Sequence, residues 1–244
     1  PKYNNRWYEG CDFIASISKV TSDIVKTVSP TVDEEYVPHA VNTDIFKRID
    51  PNSEQGKEVQ KIRQENLKST DKFVVFWNNR NARRKMSGSL VWWWKTFCDK
   101  VGHDKATLIL HTDPTDPHGQ PLEFLAHELG LLNGQIHFSK DKVQPQQLAI
   151  FYNLVDCTIN ISDAEGFGLS TLESLSCGTP VVVTMTGGLQ EQVTDGENWF
   201  GVGIEPTSKA VIGSQQVPYI YEDRINEGVF VDALLKMYNA TEEE

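Results

Sequence analysis

Residues 161–183 read ISDAEGFGLSTLESLSCGTPVVV, and the fold turns on how they are parsed. An apolar strand ends at Ile161. Ala164-Glu165-Gly166-Phe167-Gly168-Leu169 then reads as a turn, a short helix starts near Leu169 or Ser170, and Pro180 opens a second buried strand. Gly166 and Gly168 can take backbone angles closed to other residues and let a ligand approach the main chain. The first N–H groups of the helix have no partner inside it. They form an anion site of the kind that phosphate occupies, to which Ser170 or Thr171 can add a hydroxyl. Glu173 follows Glu165 by eight residues, on the same helix. A carboxylate beside a phosphate site avoids the phosphate and suits a sugar diol, from which it accepts two hydrogen bonds. A bare Gly-x-Gly is weak on its own, and helix glutamates are usually solvated; the combination carries the reading.

On either side of this stretch, strands alternate with helices. The N-terminal segment predicts a β-run at 11–18, a helix at 19–28, an extended run at 34–41 and a turn at 42–46. Ser53 is a plausible N-cap for a helix over 54–67. Strands follow at 72–77, 106–111, 135–139, 156–161, 180–184 and 199–204, the last of the series. Helices are expected at 88–101, around the Trp92-Trp93-Trp94 run, and at 122–132, 145–153, 189–194 and 227–238, before an acidic tail. The strands are continuous apolar runs, which predicts a Rossmann-like α/β fold: a parallel sheet with helices on both faces. Pro206 to Asp223 breaks the alternation and reads as a long loop that packs on the crossover stretch around 37–46 or on a partner.

The 244 residues carry a formal charge of −11, so no basic footprint for nucleic acid is present. No apolar run approaches the ~20 residues that span a bilayer, so an integral membrane protein is not expected. The first residues lack the pattern of a signal peptide. Cys11, Cys98, Cys157 and Cys177 have no metal-ligand spacing and read as reduced thiols in a cytoplasmic setting.

In an open parallel sheet, ligands lie beyond the carboxyl ends of the strands. After the 72–77 strand comes NNRNARRK (78–85), the densest cationic patch in an acidic chain. Arginine offers a planar fork to phosphate oxygens and lysine a point charge. His111 closes another strand and reads as structural.

Glu-Gly-Phe-Gly-Leu at 165–169, Leu172-Glu173-Ser174-Leu175 and Cys177–Val182 together resemble the donor-site signature of retaining GT-B glycosyltransferases, of the family 4 type, with Glu165 and Glu173 as the E-x7-E pair. The resemblance implies a nucleoside diphosphate sugar donor, UDP- or GDP-linked, and transfer of a hexose to a sugar or glycan acceptor with retention. It places Glu165 against the donor sugar, Glu173 on the ribose diol, and the backbone of Gly168, Leu169 and Ser170 on the phosphate oxygens, with Gly166, Phe167 and Thr171 also in the donor site. Arg80 and Lys85 match by position the family's two cations for the pyrophosphate, although Asn79 stands where a glycine is usual, and Arg83 and Arg84 compete with Lys85 for its role. Phe138, at a strand end, would flank the base, and Gly187-Gly188 would border the donor. With cations and a helix end at the diphosphate, and no DxD-like pair after a strand, no metal is expected. VPHAVNTDIF (37–46) resembles the family's crossover between two domains. Residues 1–42 would then be the trailing strand and helix of an N-terminal acceptor domain plus the crossover, and 43–244 the nucleotide-sugar-binding domain, the C-terminal half of a GT-B fold. Without the body of the N-terminal domain, the chain would transfer little sugar by itself. An epimerase or a sugar phosphorylase on the same architecture, and a non-catalytic nucleotide-sugar-binding module, are the other readings.

Overall fold

The computed structural model describes residues 2–67 and 71–240; the acidic tail at 241–244 lies outside them. The N-terminal segment comprises α1 (Arg6–Glu9), β1 (Phe13–Ser16), α2 (Lys19–Val28) and β2 (Asp33–Tyr36). Strands β1 and β2 pair in parallel as a separate two-stranded sheet. Ser18 caps α2 by accepting a hydrogen bond from the Thr21 N–H at 3.2 Å. The main body starts with α3 (Glu54–Leu67), where the Ser53 hydroxyl accepts from Gly56 N–H at 3.0 Å, as its N-cap position predicts.

Six strands then alternate with helices: β3 (Phe73–Asn78), α4 (Ser87–Val101), β4 (Ala106–His111), α5 (Leu122–Glu128), β5 (Ile136–Ser139), α6 (Pro145–Leu154), β6 (Cys157–Asn160), α7 (Leu169–Ser176), β7 (Val181–Thr184), α8 (Gln190–Val193) and β8 (Gly201–Ile204). All six pair in parallel, in the order β5-β4-β3-β6-β7-β8. This is a doubly wound sheet whose strand order reverses between β3 and β6. The loops that leave those two strands diverge there and open a crevice.

Both faces of the sheet are covered, because side chains alternate along each strand. From β3, Val75 and Trp77 enter a core shared with α4, α5 and α9 (Glu227–Asn239). Val74 and Phe76 enter a second core with α3 and α6. Of the three consecutive tryptophans, Trp94 is fully buried and donates its indole N–H to the Gln135 carbonyl at 2.9 Å, Trp93 packs on Phe230, and Trp92 is exposed.

The segment 206–223 is not the loop that its composition suggests. It holds an antiparallel hairpin, β9 (Ser208–Val211) with β10 (Tyr221–Arg224), in a sheet of its own, so the strand at 199–204 is the last of the main sheet but not of the chain. The hairpin packs on the N-terminal segment: Tyr219 meets the Tyr3 ring edge-on, and Arg6 donates to the Gln216 carbonyl. Its strands lack an apolar stripe because β10 is held by ion pairs, with Glu222 almost wholly buried. Two helices are shorter than expected. Helix α5 stops at Glu128, ahead of Gly130 at a left-handed φ of 68°, and 189–194 divides into a 3-10 turn and α8.

Candidate functional site

An open cleft of about 550 Å³ lies at the strand-order reversal. It is walled by the loop after β3 (Asn78, Asn79, Arg84, Lys85) and by the turn from Glu165 to Ser170 with Glu173 behind it. Ile17 and His39 close it from the N-terminal segment, and Leu148 from α6.

The glycine turn is a constrained object. Gly168 starts α7 at φ 95°, and a Cβ there would lie 2.6 Å from Leu189 Cδ2. The Gly187-Gly188 pair presses against the same turn. The Gly188 N–H donates to the Glu165 carbonyl at 3.1 Å, and a Cβ on Gly187 would lie 1.9 Å from that carbonyl oxygen. Gly188 is thus buried behind the turn rather than lining the cleft. Gly166, Phe167, Gly168, Leu169 and Ser170 all line it, so the amino end of α7, with its unpaired N–H groups, borders the open space. Phe167 is mostly buried, with the His39 ring edge-on at 5.2 Å. Thr171 is fully buried and does not reach the cleft; its hydroxyl has no hydrogen-bond partner among the described residues.

The loop after β3 makes a 3-10 turn at Arg83–Lys85, which ends at Met86 in a left-handed conformation before α4 begins. This turn aims two cations at the cleft. Lys85 is mostly buried and pairs closely with a Glu165 carboxylate oxygen. Burial pulls its pKa down, while Glu165 opposes the shift. Arg84 donates to the Ala164 carbonyl at 2.9 Å and lies 3.5 Å from the Glu165 carboxylate. Arg80 turns the other way. Its guanidinium binds Asp116 at 2.7 Å and His118 Nδ1 at 2.7 Å in the loop after β4, outside the cleft. That contact holds the Asp116 carboxyl well below the usual range.

Glu173 lines the cleft from the first turns of α7. Tyr152 donates its hydroxyl proton to one Glu173 oxygen at 2.7 Å and accepts a hydrogen bond from Asn78 at 3.0 Å. Burial raises the Glu173 pKa, against the pull of the Tyr152 hydrogen bond. Phe138 stays half-buried against the first core and does not line the cleft. His111 is half-buried and bonds Ser139 at 2.9 Å. Sequence reasoning missed Tyr152, which reads only as a core aromatic of α6. It also missed Ile17 and His39, which enter from far upstream; only the VPHAV phrase around His39 hinted at them.

The parallel order, the reversal point and the cleft beside a helix amino end are those of a doubly wound α/β fold whose structural neighbours are GT-B glycosyltransferases. The chain belongs to the family described as glycosyl transferases group 1, which matches residues 58–215. A D-inositol 3-phosphate glycosyltransferase of Acidothermus cellulolyticus is 42% identical over 84 residues, 34% of this chain and 18% of that protein. Among solved structures, the sucrose-phosphate synthase of Thermosynechococcus elongatus superposes with a TM-score of 0.71 and 21% identity, over 96% of this chain and 51% of that one. Anabaena HepE in complex with UDP-glucose superposes with a TM-score of 0.65 and 21% identity, over 85% and 55%. The chain therefore spans about half the length of the structures that it resembles. Among the described residues, no helix is long and apolar enough to cross a membrane.

Proposed function

We propose that this chain supplies the donor site of a retaining glycosyltransferase of the family 4 type, which moves a hexose from a nucleoside diphosphate sugar to a sugar or glycan acceptor. The observation that carries this reading is the convergence of Arg84, Lys85, Glu165, Glu173 and the amino end of α7 on one cleft. The donor is a UDP-sugar before a GDP-sugar, because HepE, of the same fold, binds UDP-glucose.

The ribose diol lies on Glu173, whose second oxygen Tyr152 leaves available. The diphosphate lies on the α7 amino end and the Arg84–Lys85 turn, and it draws Lys85 from Glu165. Arg80 joins only by exchanging Asp116 for phosphate. Glu165 then faces the hexose hydroxyls. Breaking the anomeric C–O bond builds positive charge on the ring and negative charge on the leaving diphosphate. Lys85, Arg84 and the helix end stabilise the latter, and each preorganised group of this kind is worth about 3 kcal/mol. No metal is needed for that charge. Retention follows from the resemblance to the E-x7-E enzymes. Residues 1–42 are the trailing edge of an N-terminal domain that provides the acceptor site, and 43–244 the donor domain. The free cysteines fit a cytoplasmic location.

The test is a thermal-shift and calorimetric panel of UDP-, GDP- and ADP-sugars, followed by NMR of the product's anomeric configuration. Binding of one nucleotide sugar supports the reading. Failure of every one to bind, or an inverted product, would overturn the donor site or the retention respectively.

A further inference from the structure

The hairpin at 206–224 contributes no side chain to the cleft, yet its second strand is tied to two of the segments that line it and to the loop packed behind the glycine turn. Glu222 is 2% exposed, and an acid so buried persists only when paired. Both of its oxygens are taken by Arg83, at 3.0 and 2.5 Å, and Arg224 adds a bond at 2.6 Å. Arg224 also reaches Asp163 at 2.7 Å. The Asp223 N–H donates to the Asp163 carbonyl at 2.9 Å, and its carboxylate accepts from Thr186 at 2.7 Å. Asp163 in turn donates its N–H to the Arg84 carbonyl at 2.8 Å. Strand β10 thus clasps the 83–85 turn, the turn that carries Glu165, and the loop that leads to Gly187-Gly188.

Within this arrangement Arg83 points to the hairpin, while the next two residues, Arg84 and Lys85, face the cleft. Three consecutive residues on a 3-10 turn leave in different directions, so anchoring the first sets the other two. A bidentate arginine–carboxylate pair fixes orientation as well as position. We propose that Glu222 is a positioning residue: through Arg83 it holds Arg84 and Lys85 where a diphosphate meets them, which makes the hairpin a working part of the donor site. This inference rests on the donor-site reading above.

The experiment compares Glu222→Gln with the unaltered chain by calorimetry, with the nucleoside diphosphate that binds best (UDP, GDP or ADP) and its bare nucleoside. The expected result is a loss of about tenfold in diphosphate affinity with nucleoside affinity unchanged. In an Arg84→Ala/Lys85→Ala background the same substitution should have no further effect, because it acts through those two residues. Unchanged diphosphate affinity, equal loss for both ligands, or full additivity in the double background overturns the proposal. If Glu222→Gln does not fold, Arg83→Lys reads the same contact, since it keeps the charge and loses the fork. If the unaltered chain binds none of the three diphosphates, the donor-site reading fails first and takes this one with it.

Discussion

Burial acts on Glu173 and Lys85 in opposite directions, and in both it favours the neutral form. In each, one neighbour opposes that shift: Tyr152 donates to Glu173, and Glu165 pairs with Lys85. A ribose diol in place of solvent would satisfy the second Glu173 oxygen. Glu173→Ala is therefore expected to weaken nucleotide binding by about 1–3 kcal/mol, the cost of lost bonds to a charged acceptor. Calorimetry on the folded variant checks this, and an unchanged Kd would remove Glu173 from the site.

Among the elements, the turn from Glu165 to Gly168 and the hairpin matter most. Gly168 and Gly187 both sit at positive φ, but their surroundings differ. A methyl at 168 meets the end of the buried Leu189 side chain, which can shift. At 187 it meets a backbone carbonyl, which cannot. Gly168→Ala should cost about 1–3 kcal/mol of stability from backbone strain, and Gly187→Ala clearly more; urea denaturation gives the order, and a reversed order would mean that the two turns do not pack as described. The hairpin makes a pH prediction. Asp163 is buried against Arg224 and Arg83, with Glu222 and Asp223 nearby, and burial lifts its pKa to about 6. The folded state then holds the Asp163 proton more tightly than the unfolded chain does. The stability that this group adds is present at low pH and is lost as the pH rises from about 4 to about 6. Asp163→Asn removes that slope. The stability difference between the two proteins should thus change across this window in denaturation series and stay level above it.

For the whole molecule, the cleft is open, and among the described residues of the N-terminal segment Ile17 and His39 line it. The chain spans about half the length of these structural relatives. On the donor-site reading, charge developing at the anomeric carbon in this open cleft would be poorly shielded from water, which weakens every electrostatic contribution to the barrier. The 244-residue chain is expected to bind a nucleotide sugar and to transfer it slowly at best. Product formation assayed with candidate acceptors checks this; brisk turnover would show that the acceptor site also lies within these residues.

The sequence by itself determined the alternation of apolar strands with helices, the glycine turn before α7 and the proximity of Glu165 and Glu173, because each is a local pattern of a few neighbouring residues. It also carried the Ser53 cap and the left-handed glycine of the site. Which strand lies beside which was not local: the β3–β6 reversal that opens the cleft depends on pairings between residues far apart. The directions of side chains were decided in the same way. Arg80, alike in sequence to its neighbours, is captured by Asp116, whereas Lys85 is turned inward to Glu165. Tyr152 looked like core and became the partner of Glu173, and 206–223 looked like loop because its strands are bound by charges drawn from distant turns. Local periodicity is written in consecutive residues; a partner across the fold exists only once the chain has closed on itself.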